Sequence, residues 1–389
     1  MSINTRRNKM EVLMVSFGLA GGSFAALKNI AEIPHQKLHF TILGLGNYEN
    51  TSDQYKVVAI PYMRYDGTWG HLASKYSLLG FLLQLPLYTS TILYILKHKP
   101  SLIVFNGLAT MLPLVIFTKL IGIKSVLSFR SWWDHDRFKA IEWLVKIYCR
   151  QVDLCYANSI GTKKNLTQII DEKKIKVVSH HANSIYFQHK NRLNLKKRSN
   201  VLNKFVILYV GRIDEEKHCD FMIQMIKHFE KNNQIKFLFA GEGRLKDEII
   251  ELEKKQANVQ YLGFISSAQE LSDIYTTADV LLSNADETYF ARPAVEALAS
   301  GTPVMIFRVP AIGEKILKNI EVPDSMVPME IGWIIDHRKK DETIKLIQSL
   351  STSNLAENMR TSSQTHAKKY YSKDPNIELQ NDFVNLIEH

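Results

Sequence analysis

The chain has 389 residues, 46% hydrophobic and 23% charged, which fits two globular domains and excludes a disordered or fibrous chain. Its net charge is +10 and the excess is one-sided: residues 1–195 hold 24 Lys and Arg against 11 Asp and Glu, the remainder 25 against 28. Such a field selects an anionic partner, and the three cysteines, Cys149, Cys155 and Cys219, lack the number and spacing of a disulfide framework or a zinc site, so a reducing cytosol is expected.

Met1–Met10 is polar and basic and leads straight into a strand-like run, without the apolar core of a signal peptide. Strands are predicted over Glu11–Phe17, Leu38–Leu43, Tyr55–Ile60, Leu102–Asn106, Lys124–Phe129, Asp153–Ala157 and Lys176–Ser179, with helices between most of them. Their nearly continuous apolar runs, as in Val12–Val15, suit parallel strands covered on both faces. Gly21-Gly22-Ser23 follows the first strand at a helix start, a turn that serves sterics alone or brings backbone N–H groups to a phosphate. Leu78–Leu96 approaches membrane-spanning length but is broken by Gln84, Pro86, Thr89, Ser90 and Thr91. It reads as a helix or kinked helix pair, either buried in the core or lying against lipid. After the fifth strand come Arg130, the pair Trp132–Trp133, and Asp134-His135-Asp136, whose acids fit the cap of a helix starting at Arg137. The tryptophans suit either the core or stacking on a sugar or lipid. His180 and His181 lack the partner spacing of a metal site.

Gln188–Asn203 is polar and strongly basic, and residues 191–203 are read as a linker between an N-terminal domain, 1–190, and a C-terminal domain, 204–372. Strands resume at Phe205–Val210, Ile235–Ala240, Val259–Gly263, Val280–Ser283, Val304–Phe307 and Gly332–Ile335. Residues 373–389 are predicted as a final helix, with Ile377, Phe383, Leu386 and Ile387 on its apolar face. The fold class is therefore α/β, with two Rossmann-like parallel sheets facing a cleft, and ligands of such sheets bind at the carboxyl ends of the strands.

Three segments of the second half carry chemistry. In Val210-Gly211-Arg212-Ile213-Asp214-Glu215-Glu216-Lys217, a glycine turns the chain at a strand end and two cations flank a helix start, an arrangement suited to a diphosphate or to a solvated charged loop. Gly241-Glu242-Gly243 is a second strand-to-helix turn, weak by itself. In Ser283–Val304, Pro293 stands in a helix's first turn and Gly301 stops that helix. Glu296 is there either to complement the helix dipole or to grip the two hydroxyls of a ribose.

Taken together, these segments, with Asn258–Phe264 and Ala278–Leu282, resemble the C-terminal domain of the retaining glycosyltransferases of family 4, which have the GT-B fold. The resemblance runs from Phe205 to Val304 and is looser in the first half, where Gly21 and Gly22 match the family's glycine-rich loop. It implies that Arg212 and Lys217 hold the donor diphosphate, that Glu296 binds the nucleotide ribose and that the final helix, 373–389, packs back on the first domain. It also implies donor contacts at Gly211, Gly241, Gly243, Phe290, Ala291 and Arg292. The family's first motif glutamate stands eight positions before the second, and Thr288 occupies that place here, with Glu287 one residue earlier. Either the loop bulges and Glu287 acts, or that carboxylate is missing; Tyr289 and Ala291 also replace the usual loop glycines. At the family's histidine position stands Arg130, with His135 nearby.

The expected function is sugar transfer from a nucleotide-diphosphate sugar to a hydroxyl of a glycan or lipid-linked acceptor, in polysaccharide, lipopolysaccharide or glycolipid assembly. Retention of configuration with no metal and no other cofactor is what the resemblance implies. A non-catalytic GT-B protein, binding nucleotide sugar or docking an active partner to a membrane, is the alternative. The basic first half suits an anionic membrane surface rather than nucleic acid, because its charges are not gathered in a recognition helix. The expected location is cytoplasmic, peripheral on the inner membrane face.

Overall fold

The structure is a computed structural model and describes residues 9–19, 21–48, 52–61, 84–112, 114–129, 133, 142–286, 291–307 and 330–389. The chain divides into two units, Met1–Ser179 with Pro375–His389, and His180–Asp374.

In the first unit the order is β1 (Met10–Gly18), α1 (Gly21–Ala31), β2 (Leu38–Leu45), β3 (Tyr55–Ile60), α2 (Leu85–His98), β4 (Leu102–Asn106), α3 (Val115–Leu120), β5 (Lys124–Phe129), α4 (Glu142–Cys149), β6 (Leu154–Ala157), α5 (Ile160–Leu166) and β7 (Ile175–Val177). The strands form one parallel sheet, β3-β2-β1-β4-β5-β6-β7. Parallel neighbours need crossover connections, and these cover both faces of the sheet. Residue alternation along β1 shows it: Leu13 and Val15 pack with Leu87, Val115 and Val145 of α2, α3 and α4, whereas Val12 and Met14 pack with Leu27 and Ile30 of α1. The α2 helix buries Leu87, Tyr88, Thr91 and Ile95, so the core reading of its stretch holds for one face. Residues 78–83 of that stretch lie outside the described residues, as do Arg130, Trp132, Asp134, His135 and Asp136. Trp133 is buried in the core. The three cysteine thiols are buried as well.

The second unit contains α6 (Arg192–Arg198), β8 (Phe205–Val210), α7 (Cys219–His228), β9 (Ile235–Ala240), α8 (Lys246–Lys255), β10 (Val259–Gly263), α9 (Ala268–Thr277), β11 (Val280–Asp286), α10 (Arg292–Ala299), β12 (Val304–Phe307), β13 (Gly332–Ile335), α11 (Lys340–Ser351) and α12 (Arg360–Tyr371). Its six strands are parallel in the order β10-β9-β8-β11-β12-β13. Two apolar clusters sandwich this sheet, one with α7, α8 and α11, the other with α10 and α12.

Residues 191–203 are not a linker. They hold α6, whose basic side chains are used inside the second unit. Asp279, just before β11, accepts from Arg192, from Lys196 Nζ at 2.8 Å and from the Val206 N–H at 2.7 Å. Lys190 Nζ bonds Asp273 at 2.6 Å. The boundary accordingly falls after Ser179 rather than at 190. The chain enters and leaves the second unit side by side, with His181 Nε2 at 3.3 Å from Asp374 and the Ala182 N–H donating to the Tyr371 carbonyl at 2.9 Å.

The final helix, α13 (Pro375–Glu388), belongs to the first unit and packs beside α1. Its apolar face differs from the predicted one: Leu379, Phe383 and Val384 are buried, Leu386 and Ile387 pack at the margin, and Ile377 is exposed. Polar ties fix its rotation, with Gln380 Nε2 donating to the Ile30 and Ile33 carbonyls at 2.8 and 2.9 Å, and Asp382 taking Tyr156 Oη at 3.0 Å and Lys176 Nζ at 2.5 Å.

Candidate functional site

In the second sheet the strand order reverses direction between β8 and β11, which are hydrogen-bonded neighbours. The crevice outside such a reversal is where open α/β sheets bind ligands. Gly211, Arg212 and Lys217 leave the end of β8; Ala291, Arg292 and Glu296 follow β11; Gly241 and Gly243 follow β9, next to β8. Topology thus brings these predicted residues to one edge of one sheet. Gly21 and Gly22 open α1 after β1, at the corresponding reversal of the first sheet. Glu287, Thr288 and Phe290 lie outside the described residues. β11 runs three residues past its predicted end, and between Ser283 and Asp286 its register against β12 slips, with two extra residues on β11. The irregularity directly precedes the segment in which the sequence departs from the family motif.

The β8 loop is organised by Asp214, a buried carboxylate that sequence reasoning treated only as one of several loop acids. Its Oδ2 holds Arg212 Nη1 at 2.7 Å, while Oδ1 accepts the Arg244 backbone N–H at 2.9 Å and stands 3.6 Å from Arg244 Nε. Its backbone carbonyl accepts the Lys217 N–H at 3.0 Å. One residue therefore holds the Arg212 side chain and the Lys217 backbone in place and adds a third cation, Arg244, which the sequence reading missed although it directly follows Gly243. The side chains of Arg212 and Arg244 remain more than half exposed, 63% and 62%, beside the buried carboxylate that orients them.

Gly241 and Gly243 have a steric task. A Cβ on Gly241 would lie 1.8 Å from the Gly211 carbonyl oxygen, and one on Gly243 would lie 2.3 Å from that of Ile213. The two loops pack backbone on backbone, joined by Ile213 N–H to the Glu242 carbonyl and Leu245 N–H to the Ile213 carbonyl, both at 2.9 Å. The glycine pair thus supports the Arg212 loop. After Lys217, His218 takes φ +55 and stacks on His337 with ring centroids 4.5 Å apart; α7 then begins at Cys219.

Glu296 sits in α10, whose first turn carries Pro293 and no side-chain cap. It does not stand open at the strand ends: the residue is 8% exposed, and Tyr275 Oη donates to its Oε2 at 3.0 Å, with the Tyr186 hydroxyl bonded to it as well. Burial pushes its pKa up to about 7, against the opposing influence of Arg292 one turn earlier and of the tyrosine hydroxyls. Arg292 is exposed at the helix start. His181, paired with Asp374, is a structural tie between the two ends of the unit. Among the described residues no group of three or more His, Cys, Asp or Glu side chains is placed to hold a metal ion.

Residues 191–369, nearly all of the second unit beyond its first turn, match the family described as glycosyl transferases group 1. An uncharacterized glycosyltransferase of Methanocaldococcus jannaschii is 28% identical over 44% of this chain and 46% of its own length. An α-1,4-N-acetyl-D-galactosaminyltransferase of Campylobacter jejuni, named for an undecaprenol diphosphate-linked glycan, is 22% identical over 69% of this chain and 72% of its own. The chain spans about half or less of the length of the curated relatives it matches first. Among solved structures, Anabaena HepE in complex with UDP-glucose superposes with a TM-score of 0.70 at 16% identity, over 97% of this chain and 100% of that one. At that identity the likeness concerns the fold, which is GT-B: two parallel-sheet α/β domains.

Proposed function

We propose that the protein is a retaining glycosyltransferase that moves a sugar from a nucleoside-diphosphate sugar to an acceptor hydroxyl. The observation that carries this reading is the pair of exposed arginine side chains, Arg212 and Arg244, held beside one buried carboxylate at the strand reversal of the segment that matches glycosyl transferases group 1. In the proposed step, Arg212 and Lys217 face the departing diphosphate and offset the charge that builds on it. The acceptor hydroxyl attacks from the leaving-group face and gives its proton to the departing phosphate oxygen, so no protein nucleophile enters. Glu296 takes the ribose hydroxyls, and the backbone N–H groups at Ala291 and Arg292 face the donor sugar. No cofactor besides the donor is invoked. The C. jejuni relative's printed name supports a lipid-linked glycan as acceptor class, and the place of action in the proposal is the cytoplasmic membrane face.

Calorimetric titration of UDP and GDP tests the reading. Arg212→Ala and Lys217→Ala should each weaken the preferred nucleotide by about tenfold or more, and Arg244→Ala by less. Undiminished binding in the Arg212 and Lys217 variants would place the diphosphate elsewhere. The substitution of Thr288 for the motif glutamate favours a second reading, a binding protein without turnover. Donor and acceptor supplied together separate the two: new glycoside supports transfer, whereas binding without product supports the second.

A further inference from the structure

Large apolar side chains exposed to solvent are not scattered evenly over the described residues. Nine of the seventeen lie on, or directly after, just three helices, α2, α3 and α4, which cover the same face of the first sheet. On α2 the buried side is Leu87, Thr91 and Ile95, and the opposite side shows Leu85, Leu93 and Leu96 to solvent. On α3 Val115 and Thr118 face inward while Ile116 and Leu120, and Ile121 just after them, face outward. On α4 Val145 and Cys149 are buried, whereas Trp143, Leu144 and Ile147 are exposed. Each helix is therefore apolar on both sides, and among the described residues only one side of each packs into the core. Three residues stand furthest out: Leu93 is 67% exposed, Leu120 81% and Trp143 63%.

The charges among them are mostly positive. Lys97 and Lys99 end α2, Lys119 lies on α3, and Lys146 and Arg150 lie on and after α4; against them stand Glu142, paired with Lys146 at 2.7 Å, and Asp153, 3.7 Å from Lys119. We infer that this face of the first unit docks on an anionic lipid bilayer. Leucines and an interfacial tryptophan enter the headgroup boundary while the lysine and arginine heads reach the lipid phosphates. Charge decides between occupants, because a second copy of the same face would oppose positive with positive. No helix among the described residues is long and apolar enough to cross a membrane, so the contact is with the surface.

Sedimentation with vesicles tests the inference, using phosphatidylcholine alone and phosphatidylcholine with about one third phosphatidylglycerol. The intact chain should bind the anionic vesicles at least about tenfold more strongly, and raised salt should release it. The triple variant Leu93→Gln, Leu120→Gln, Trp143→Gln should lose that binding by about tenfold or more while keeping its melting temperature, since all three side chains are exposed. As a second measurement in an otherwise unchanged chain, the tryptophan emission should shift to the blue on adding anionic vesicles, and Trp143→Phe should abolish the shift. Equal binding to both vesicles, retained binding in the triple variant, or a dimer that the triple variant dissolves would each overturn the inference. UDP titration of the same samples reads the second unit separately, so failure here leaves the donor reading untouched.

Discussion

Glu296 is the residue whose ionisation should be felt most by the whole second unit. Its carboxyl holds its proton to about pH 7 when folded but releases it near 4.5 when exposed. Between those values the folded state binds more protons than the unfolded one, so the contribution of this group to stability is complete below about 4.5 and declines as pH rises to 7. The full swing is about 3 kcal/mol. Glu296→Gln should flatten the dependence over that window, which urea unfolding at several pH values measures; an unchanged slope would show that burial does not perturb the group. Ribose hydroxyls prefer the ionised acceptor, so nucleotide binding near neutral pH should release protons, visible as a binding enthalpy that varies with the buffer. A second residue-scale prediction concerns Gly241→Ala. The added methyl would collide with the Gly211 carbonyl, costing at least about 2 kcal/mol and displacing the Arg212 loop, so both unfolding free energy and UDP affinity should fall. The sequence marked Arg212, Lys217 and Glu296 by spacing within single segments. It did not show that Asp214 grips Arg244 or that Tyr186 and Tyr275 enclose Glu296, because those partners come from other parts of the chain.

Secondary elements were more legible than their surroundings. All thirteen predicted strands form, because a parallel strand buried on both faces is a self-contained apolar signal. α6 was misread for the converse reason: a run of lysines and arginines looks the same whether it is solvated or paired, and its partners Asp279 and Glu357 lie far along the chain. Lys196 is buried, with its ammonium pKa lowered by desolvation and supported by Asp279. Asp279→Ala should therefore cost roughly 3–5 kcal/mol, since it strands a buried ammonium and the Val206 N–H. Adding Lys196→Met should recover a good part of that loss, and thermal unfolding of the single and double variants reads it directly. If the double variant were no better than Asp279→Ala, the buried charge would not be what destabilises it.

At the scale of the molecule, the charge asymmetry read from a cut at residue 195 changes once the units are known. The first unit holds 22 Lys and Arg against 14 Asp and Glu, and the second 27 against 25, leaving excesses of +8 and +2. The sign of the asymmetry stands and its size drops, because Lys190 and Arg192 pass to the second unit and α13 brings Glu378, Asp382 and Glu388 to the first, where Asp382 and Glu388 meet Lys176 and Lys37. Removing residues 375–389 should unsettle the first unit while sparing the second. Leu379, Phe383 and Val384 together bury apolar surface worth about 6 kcal/mol, comparable with a domain's entire margin of about 5–15 kcal/mol. Differential scanning calorimetry with and without UDP should then show an early transition for the first unit and a ligand-stabilised one for the second.

That His181 meets Asp374 and Ala182 meets Tyr371 makes the second unit a continuous stretch of chain with adjoining ends. During synthesis it is therefore finished before the first unit, whose last helix is translated after it. The nascent first unit must wait on the ribosome with the α1 side of its sheet incompletely covered, and a chain that stalls before Pro375 would expose apolar surface there, where chaperones and proteases act.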